Sequence, residues 1–336
     1  MKRVLVTIPQ NAVLETFFPP RVCQKLEADF EVEYNMTGKQ FGMDELREKL
    51  RTADAVMTGW GTPMLDESVL KSNGRLRLIV HTGGTVGNLV DAFAYDQGIR
   101  VFSGNRLYAE SVAEGTIAYM LMAQRRLPYY IDQVRKGSWR TESDNWEGLL
   151  DKSVGIIGMG TISAYLIRML QVFRTKIKVF SHYALPENYT RDFHCEQASL
   201  EEIFSYCDIV SVHSALNDQN RGLIQSKHFS LMKDSALFIN TSRGDVVDED
   251  ALIEALKENR FRAVLDVYRK EPLEQDSLLR TLPNVLPLPH MAGPTLDRRP
   301  VITSALIDEM KRFFQGKKPF ELEISRQLAA RMTKMK

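Results

Sequence analysis

Short apolar runs alternate with amphipathic stretches along nearly the whole chain. Residues 3–8, VLVTIP, read as a first strand, and a helix is expected over 20–29. Strand-like runs follow at 54–58, 76–81 and 99–102. Each parallel strand pair needs a crossover, usually helical, so this rhythm predicts a mostly parallel sheet. A long helix is expected over 111–127. Ser111 and Glu114 have capping-box spacing, and Ile117, Ala118, Met120 and Leu121 form an apolar face. Pro128 should end or kink it. From 153 the alternation is regular, with strands expected at 154–157, 177–181, 208–212, 236–240, 263–267 and 285–288. Between them lie a helix opened by the pair Ser199 and Glu202 and another after Asp248, where Ala251, Leu252, Ala255 and Leu256 share a face. Six strands in this span match a doubly wound nucleotide-binding domain. A last helix opens at Pro300, with Val301, Ile302, Leu306, Met310 and Phe313 on one side and Gly316 past its end. It should cross back to the first domain. Residues 320–336 are basic, and fraying is the expectation there.

A chain of 336 residues suits two α/β domains. With 26% charged residues and a net charge of +1, nothing points to nucleic acid or an anionic membrane as partner. The run RRLPYYIDQVRK at 125–136 reads as a solvated helix face. No apolar run reaches the roughly 18 residues of a membrane span, and MKRVLVTIPQ is broken too soon by Pro9 for a secretory signal. Cys23, Cys195 and Cys207 are odd in number and lack a CxxC pair, which argues against a disulfide framework and for a cytoplasmic location. Cys207, in CDIVSV, reads as buried packing.

The chemistry begins at 153–163. The apolar run Val154–Ile157 enters a turn, Gly158-Met159-Gly160-Thr161-Ile162, and leaves into a helical pattern, the context that makes a glycine-rich loop a dinucleotide site. Gly158 permits the tight turn, Gly160 lets backbone approach a pyrophosphate, and the helix N-terminus offers unpaired N–H groups. The third glycine position holds Ser163. The acid expected at the end of the second strand, to bind the adenosine ribose, is missing; Tyr183 stands there, and no Asp or Glu lies between 176 and 186. No Arg or Lys just past the strand awaits a 2′-phosphate either, although His182 or Arg191 could contribute. NAD is the expected cofactor, with NADP left open.

Downstream, four polar residues fall at expected carboxyl ends of strands: Arg243 in LFINTSRG, Asp266 in AVLDV, Glu271 in RKEP and His290 in LPLPHMAG. Together they suggest hydride transfer to a carbonyl, with His290 supplying the proton to the developing alkoxide. Glu271 would orient the imidazole and favour its charged form. Arg243 would grip a substrate carboxylate and its adjacent carbonyl. N–H groups of the glycine turn at 83–87 could clamp that carboxylate as well. The substrate would be a small 2-oxo or 2-hydroxy acid. His213, in VSVHSA, reads as lining the cofactor pocket. No residue cluster has metal-ligand spacing, and the G-x-S-x-G elbow of a serine hydrolase is absent.

The motifs SVAE (111–114), VGIIGMGTIS (154–163), INTSRGDVVDEDALIEAL (239–256), LDVYRKEPL (265–273) and LPNVLPLPHMAG (282–293) resemble those of the D-isomer-specific 2-hydroxyacid dehydrogenase family, over nearly the whole chain. The resemblance implies a Rossmann-type doubly wound nucleotide domain, 106–293, inserted into a smaller flavodoxin-like α/β substrate domain, 1–105 plus 294–330. It implies a homodimer in which the helix and loop at 111–150 embrace the partner. By the same resemblance, Arg243, Glu271 and His290 are catalytic and Asp266 meets the nicotinamide carboxamide. The pyrophosphate loop matches 158–163, Thr241 and His213 line the cofactor, and the turn at Gly83, Gly84 and Thr85 meets the substrate carboxylate. Glu271 argues against the formate dehydrogenase branch, which carries glutamine there. Three departures stand out: Ser163, which would loosen helix–strand packing slightly, Tyr183, and Ser214-Ala215 after His213 where a histidine–x–proline is common. Two alternatives are an NADP-preferring glyoxylate or hydroxypyruvate reductase and a non-enzymatic, NAD-sensing corepressor. Substrate choice would lie with side chains around the carboxylate turn: Trp60, His81, Thr82, Thr85, Val86 and Arg106.

Overall fold

The computed structural model describes residues 1–71 and 74–333. They form two compact units, one comprising Met1–Tyr108 and Pro294–Lys336, the other Ala109–Gly293.

Unit 1 is built on five parallel strands, β1 (Lys2–Val6), β2 (Phe30–Tyr34), β3 (Ala55–Thr58), β4 (Leu78–His81) and β5 (Arg100–Ser103), in the order β2-β1-β3-β4-β5. The central strands are apolar on both faces, as a sheet covered on both sides requires. Val4, Val6, Met57 and Val80 face one core with Phe17, Leu26 and the helix Arg299–Phe314; Leu5, Val56 and Ile79 face the other with Leu46, Leu50 and Val69. β2 was not anticipated. Its sequence, FEVEY, alternates with charge and so reads weakly as a strand, which is what an edge position tolerates.

The C-terminal segment corrects the expected fraying. Ser103 N donates to Leu322 O at 2.9 Å and Ile324 N to Val101 O at 2.8 Å, so this stretch covers the free edge of β5. A helix, Arg326–Arg331, comes next. Buried Leu322 and Ile324, two apart, and Ala329 and Met332, three apart, carry the periodicity that the basic composition hid. On the helix Arg299–Phe314, Ile307 is buried where Val301 had been expected; Val301 is exposed.

Unit 2 holds seven parallel strands, β6 (Ser153–Ile157), β7 (Lys176–Phe180), β8 (Glu196–Gln197), β9 (Ile209–Val212), β10 (Leu237–Asn240), β11 (Arg262–Leu265) and β12 (Val285–Pro287), ordered β12-β11-β10-β9-β6-β7-β8. Six match the expected positions; the two-residue β8 is too short to leave a sequence signal. Ser199 and Glu202 form the full capping box, and Asp248 caps the helix Glu249–Lys257. The three cysteines are free, and Cys207 is fully buried.

Two helix boundaries differ from expectation. Ser111 does not cap a helix but lies buried inside one, Asn105–Gln124, whose first amide is received by Ser103 Oγ at 3.0 Å. Pro128 does not end that helix. It occupies the first turn of the next, Leu127–Arg135, where its missing N–H costs nothing. Between them Arg126 turns the chain with φ of 50°.

Gly244 shows how tightly the β10 and β11 loops approach each other. A Cβ there would stand 2.0 Å from the carbonyl carbon of Tyr268. Gly244→Ala must push backbone apart, and we predict a loss of about 1–3 kcal/mol in chemical denaturation. A second prediction concerns two buried histidines. His81 Nδ1 lies 3.0 Å from Thr58 Oγ1, His213 Nε2 lies 2.8 Å from Ser211 Oγ, and burial pushes both down to about 4 from an ordinary 6.5. Both stay neutral in the fold, while the unfolded chain takes up protons below its own imidazole value. Stability present above that value is therefore lost as pH falls toward 4, by at most about 1.4 kcal/mol per pH unit for each histidine. His81→Gln and His213→Gln should each flatten the pH dependence of the denaturation midpoint between pH 7 and pH 4.5; an unchanged slope would show that these groups do not titrate on unfolding.

Candidate active site

The strand order of unit 2 reverses between β6 and β9, the place where parallel sheets bind ligands. Gly158 leaves β6 with φ of +100°, its N–H donating to Phe180 O at 2.8 Å, and a Cβ there would lie 2.8 Å from the Ser214 backbone. Only glycine suits that turn. At Gly160 a side chain would meet nothing within 4 Å, so the backbone is open to a ligand. The helix Thr161–Leu170 begins there without a side-chain cap, and its first amides remain available to a pyrophosphate. These features fit a dinucleotide. Ser163, expected to loosen the packing, is instead fully buried and donates its hydroxyl to Gly158 O at 2.6 Å, tying the turn to the helix.

At the end of β7 the side chains are Ser181, His182 and Tyr183. Tyr183 is exposed, and His182 Nε2 lies 2.8 Å from Asn220 Oδ1. Arg191 pairs with Asp192 at 2.7 Å. His213 is buried just past β9 with Nδ1 unpartnered. Thr241, past β10, is buried with its hydroxyl 3.5 Å from that of Thr116.

Arg243, Asp266, Glu271 and His290 all lie beyond the carboxyl ends of β10, β11 and β12. His290 Nδ1 and Glu271 Oε2 are 2.6 Å apart, and Glu271 Oε1 accepts from Tyr268 N at 3.1 Å. One carboxylate thus holds the imidazole while being held itself. His290 has φ of 52°, a left-handed conformation uncommon outside glycine. Asp266 explains how the loop sustains it: Oδ1 accepts from Met291 N at 2.8 Å and Oδ2 from Ala292 N at 2.9 Å. Burial raises the Asp266 carboxyl above its ordinary value, and these amides oppose the shift. This bracing role is one that residue spacing could not reveal. The Tyr268 hydroxyl ties the Leu265 and Leu288 carbonyls together, at 2.9 Å each.

The Arg243 guanidinium donates from Nη1 to Ser242 O at 2.6 Å, while its Nε is buried without a partner. Burial pushes it below its ordinary value and the charge of Glu271 pulls it back. Asn240 fixes the turn, donating to Arg243 O at 3.1 Å and accepting from Ser242 N at 3.0 Å.

Unit 1 carries a separate set of groups at the carboxyl edge of its own sheet. In the turn after β4, Val86 N donates to Met332 Sδ and Gly87 N to Thr85 Oγ1. The amides of Gly83, Gly84 and Thr85 reach no acceptor among the described residues. Several proposed specificity residues are engaged elsewhere: His81 and Thr82 are buried on strand-end hydroxyl and carbonyl contacts, Val86 is in the core, and Arg106 pairs with Glu321 at 2.6 Å. Trp60 is 49% exposed. Arg299, which no sequence motif marks, lies over Trp60, its guanidinium 5.4 Å from the ring centre. Among the described residues no cluster could hold a metal ion, and no helix is long and apolar enough to cross a membrane.

The family model described as "D-isomer specific 2-hydroxyacid dehydrogenase, NAD binding domain" matches residues 117–292. The YoaD protein of Bacillus subtilis is 32% identical over 95% of this chain and 93% of its own length. A glyoxylate reductase of Aeropyrum pernix is 30% identical, covering 89% of this chain and 91% of its own. Among solved structures, a phosphoglycerate oxidoreductase from Rhizobium etli superimposes with a TM-score of 0.79 at 26% identity, covering 97% of this chain and 99% of the other. The nucleotide turn, the histidine–carboxylate pair and these likenesses agree: the chain belongs to the D-isomer-specific 2-hydroxyacid dehydrogenases, oxidoreductases that act on small 2-hydroxy or 2-oxo acids with a nicotinamide cofactor.

Proposed function

We propose that this enzyme interconverts a small D-2-hydroxy acid and its 2-oxo acid, with NAD as cofactor and Arg243, Glu271 and His290 as catalytic residues. The 2.6 Å pairing of His290 with a carboxylate, on a loop braced by Asp266, carries the reading. Residues Gly158 to Ile162 would hold the pyrophosphate, with Tyr183, His213, Thr241 and Asp266 along the rest of the dinucleotide. When bound, the nicotinamide supplies or accepts the hydride at C2. Arg243 binds the substrate carboxylate and the C2 oxygen with its planar fork, the unpartnered Nε being one free donor. In reduction, His290 Nε2 gives its proton to the C2 oxygen as negative charge develops there. Glu271, on Nδ1, holds the ring and stabilises the imidazolium before transfer. In oxidation the same histidine takes the hydroxyl proton. The amides of Gly83, Gly84 and Thr85, which reach no acceptor among the described residues, belong to carboxylate recognition in this reading. NAD is favoured over NADP because Arg191, the first arginine or lysine after β7, is paired with Asp192. The likeness to a glyoxylate reductase makes glyoxylate the first acid to try.

A homodimer is part of the same proposal. On the helix Leu127–Arg135 the exposed Leu127, Ile131 and Val134 share one face at helical spacing, and Trp139 beyond it is 76% exposed. Such a stripe costs less when covered by a second copy.

Rates of NADH and NADPH oxidation against glyoxylate, pyruvate and hydroxypyruvate test the chemistry. His290→Asn should bind cofactor normally and lose about 10²–10⁴ in kcat. Arg243→Lys should lose about 100-fold in kcat/KM, since an ammonium cannot replace the fork. Near-normal rates in His290→Asn across pH would remove it as the proton donor, and a preference for NADPH would overturn the cofactor assignment. Light scattering should give twice the 38.4 kDa chain mass, falling to one chain in Ile131→Glu/Val134→Glu. A single-chain mass in the unaltered protein at micromolar concentration would sink the dimer.

A further inference from the structure

His290 sits on a segment with few backbone bonds to its own sheet. β12 is an edge strand that ends at Pro287, and Pro287 and Pro289 carry no N–H. The ladder from β11 reaches one residue further, with Leu288 N donating to Leu265 O at 2.8 Å. In that parallel register the next rung would run from Val267 N to Leu288 O. The Tyr268 hydroxyl lies there instead, 2.9 Å from Leu288 O and 2.9 Å from Leu265 O. A hydroxyl has one proton to give. Leu265 O already receives the Leu288 amide, so that proton goes to Leu288 O. Burial, and then the negative charges of Asp266 and Glu271, push the hydroxyl up to about 12, which keeps it a donor at neutral pH.

This bond bears on His290 through stiff chain. The Leu288 carbonyl and the Pro289 nitrogen share one planar peptide, and proline fixes its own φ. Turning that carbonyl therefore displaces the backbone of His290, the next residue along. On the other side Asp266 holds the amides of Met291 and Ala292. His290 is thus suspended between two anchors from one loop. The same loop aims its partner, since Tyr268 N donates to Glu271 Oε1 at 3.1 Å. Packing does not fix the pair itself: the His290 and Glu271 side chains are 50% and 36% exposed. It does fix Tyr268, which is buried in the same core as Leu265, Leu279 and Val285. The hydroxyl is carried by rigid structure and passes that rigidity to an exposed histidine.

We propose that Tyr268 is a positioning residue for proton transfer, its hydroxyl holding the Leu288 carbonyl and thereby setting His290 at bonding distance from Glu271. The inference rests on the proposed role of His290 as proton donor. Tyr268 acts through His290, so losing its hydroxyl should slow turnover and leave binding alone. The binding elements have supports of their own: Ser163 ties the nucleotide turn, and Asn240 ties the turn that carries Arg243.

The test is Tyr268→Phe, which removes the hydroxyl and keeps the ring and the backbone. With the 2-oxo acid that is reduced fastest, kcat should fall about 10-fold, because a small misplacement of a reacting group is costly. The KM for that acid and the calorimetric Kd of NADH should not change. Hydrogen exchange in the 288–292 peptide should quicken, while the helix Thr161–Leu170 keeps its protection and so reports a folded variant. On the His290→Asn background, adding Tyr268→Phe should cost nothing more. A lower kcat without faster exchange at 288–292, weaker NADH binding, or a further loss on the His290→Asn background would overturn the proposal. The two readings fail separately. If no acid is reduced, or His290→Asn keeps its rate, while Tyr268→Phe quickens exchange at 288–292, the hold on His290 stands and the catalytic reading falls. If His290→Asn is inactive yet Tyr268→Phe keeps its kcat, the catalytic reading stands and the positioning role falls.

Discussion

Both sheets are wholly parallel, and the placement of every functional group depends on that constraint. A parallel strand cannot be reached by a tight hairpin, so each connection returns across a face and every strand ends at the same edge. In unit 2 this brings the nucleotide turn after β6, Arg243 after β10, Asp266 and Glu271 after β11 and His290 after β12 to one rim. In unit 1 it does the same for Trp60, the glycine turn and the Ser103 cap. Residues separated by 130 positions can therefore serve one reaction without local sequence proximity, because direction of travel alone determines where they surface.

At that rim, polar groups are organised by neighbours that perform no chemistry. Asp266 is the clearest case. Its two oxygens are committed to consecutive backbone amides, which fixes the left-handed residue immediately before them. Tyr268 bridges two carbonyls across β11 and β12, and its amide in turn holds Glu271. The imidazole–carboxylate pair is thus set by backbone contacts rather than by packing around the side chains, which suits groups that remain exposed to solvent.

The sequence announced the elements whose physics is local. The strands of unit 2 are near-continuous apolar runs, the Ser199–Glu202 cap is reciprocal, and Gly158 sits where only glycine turns; all were legible. What escaped depends on partners distant in sequence. FEVEY acquires strand character by lying beside β1, and the segment at 322–324 by lying along β5. Ser111 and Glu114 carry a cap's spacing, but the helix had already begun at Asn105, so the pattern fell mid-helix. Among the proposed site residues, Arg243, Glu271 and His290 were visible as polar residues at strand ends. The setting of Arg299 was not legible, since an arginine ahead of a helical proline looks like surface until Phe17 and Trp60 are seen around it. Arg106 was the converse, suggestive in sequence and neutralised by Glu321 in the fold.

The C-terminal segment that closes the edge of β5 also reaches the glycine turn at 83–87, where Met332 Sδ receives the Val86 amide and the Thr333 carbonyl receives the Thr85 hydroxyl. The turn is encoded early and its supports late, with all of unit 2 between them. During synthesis the continuous stretch of unit 2 emerges between the turn and the residues that hold it. Vectorial synthesis therefore sets an order on these contacts: the turn emerges first, the whole of unit 2 follows, and the bonds to Thr85 and Val86 close last.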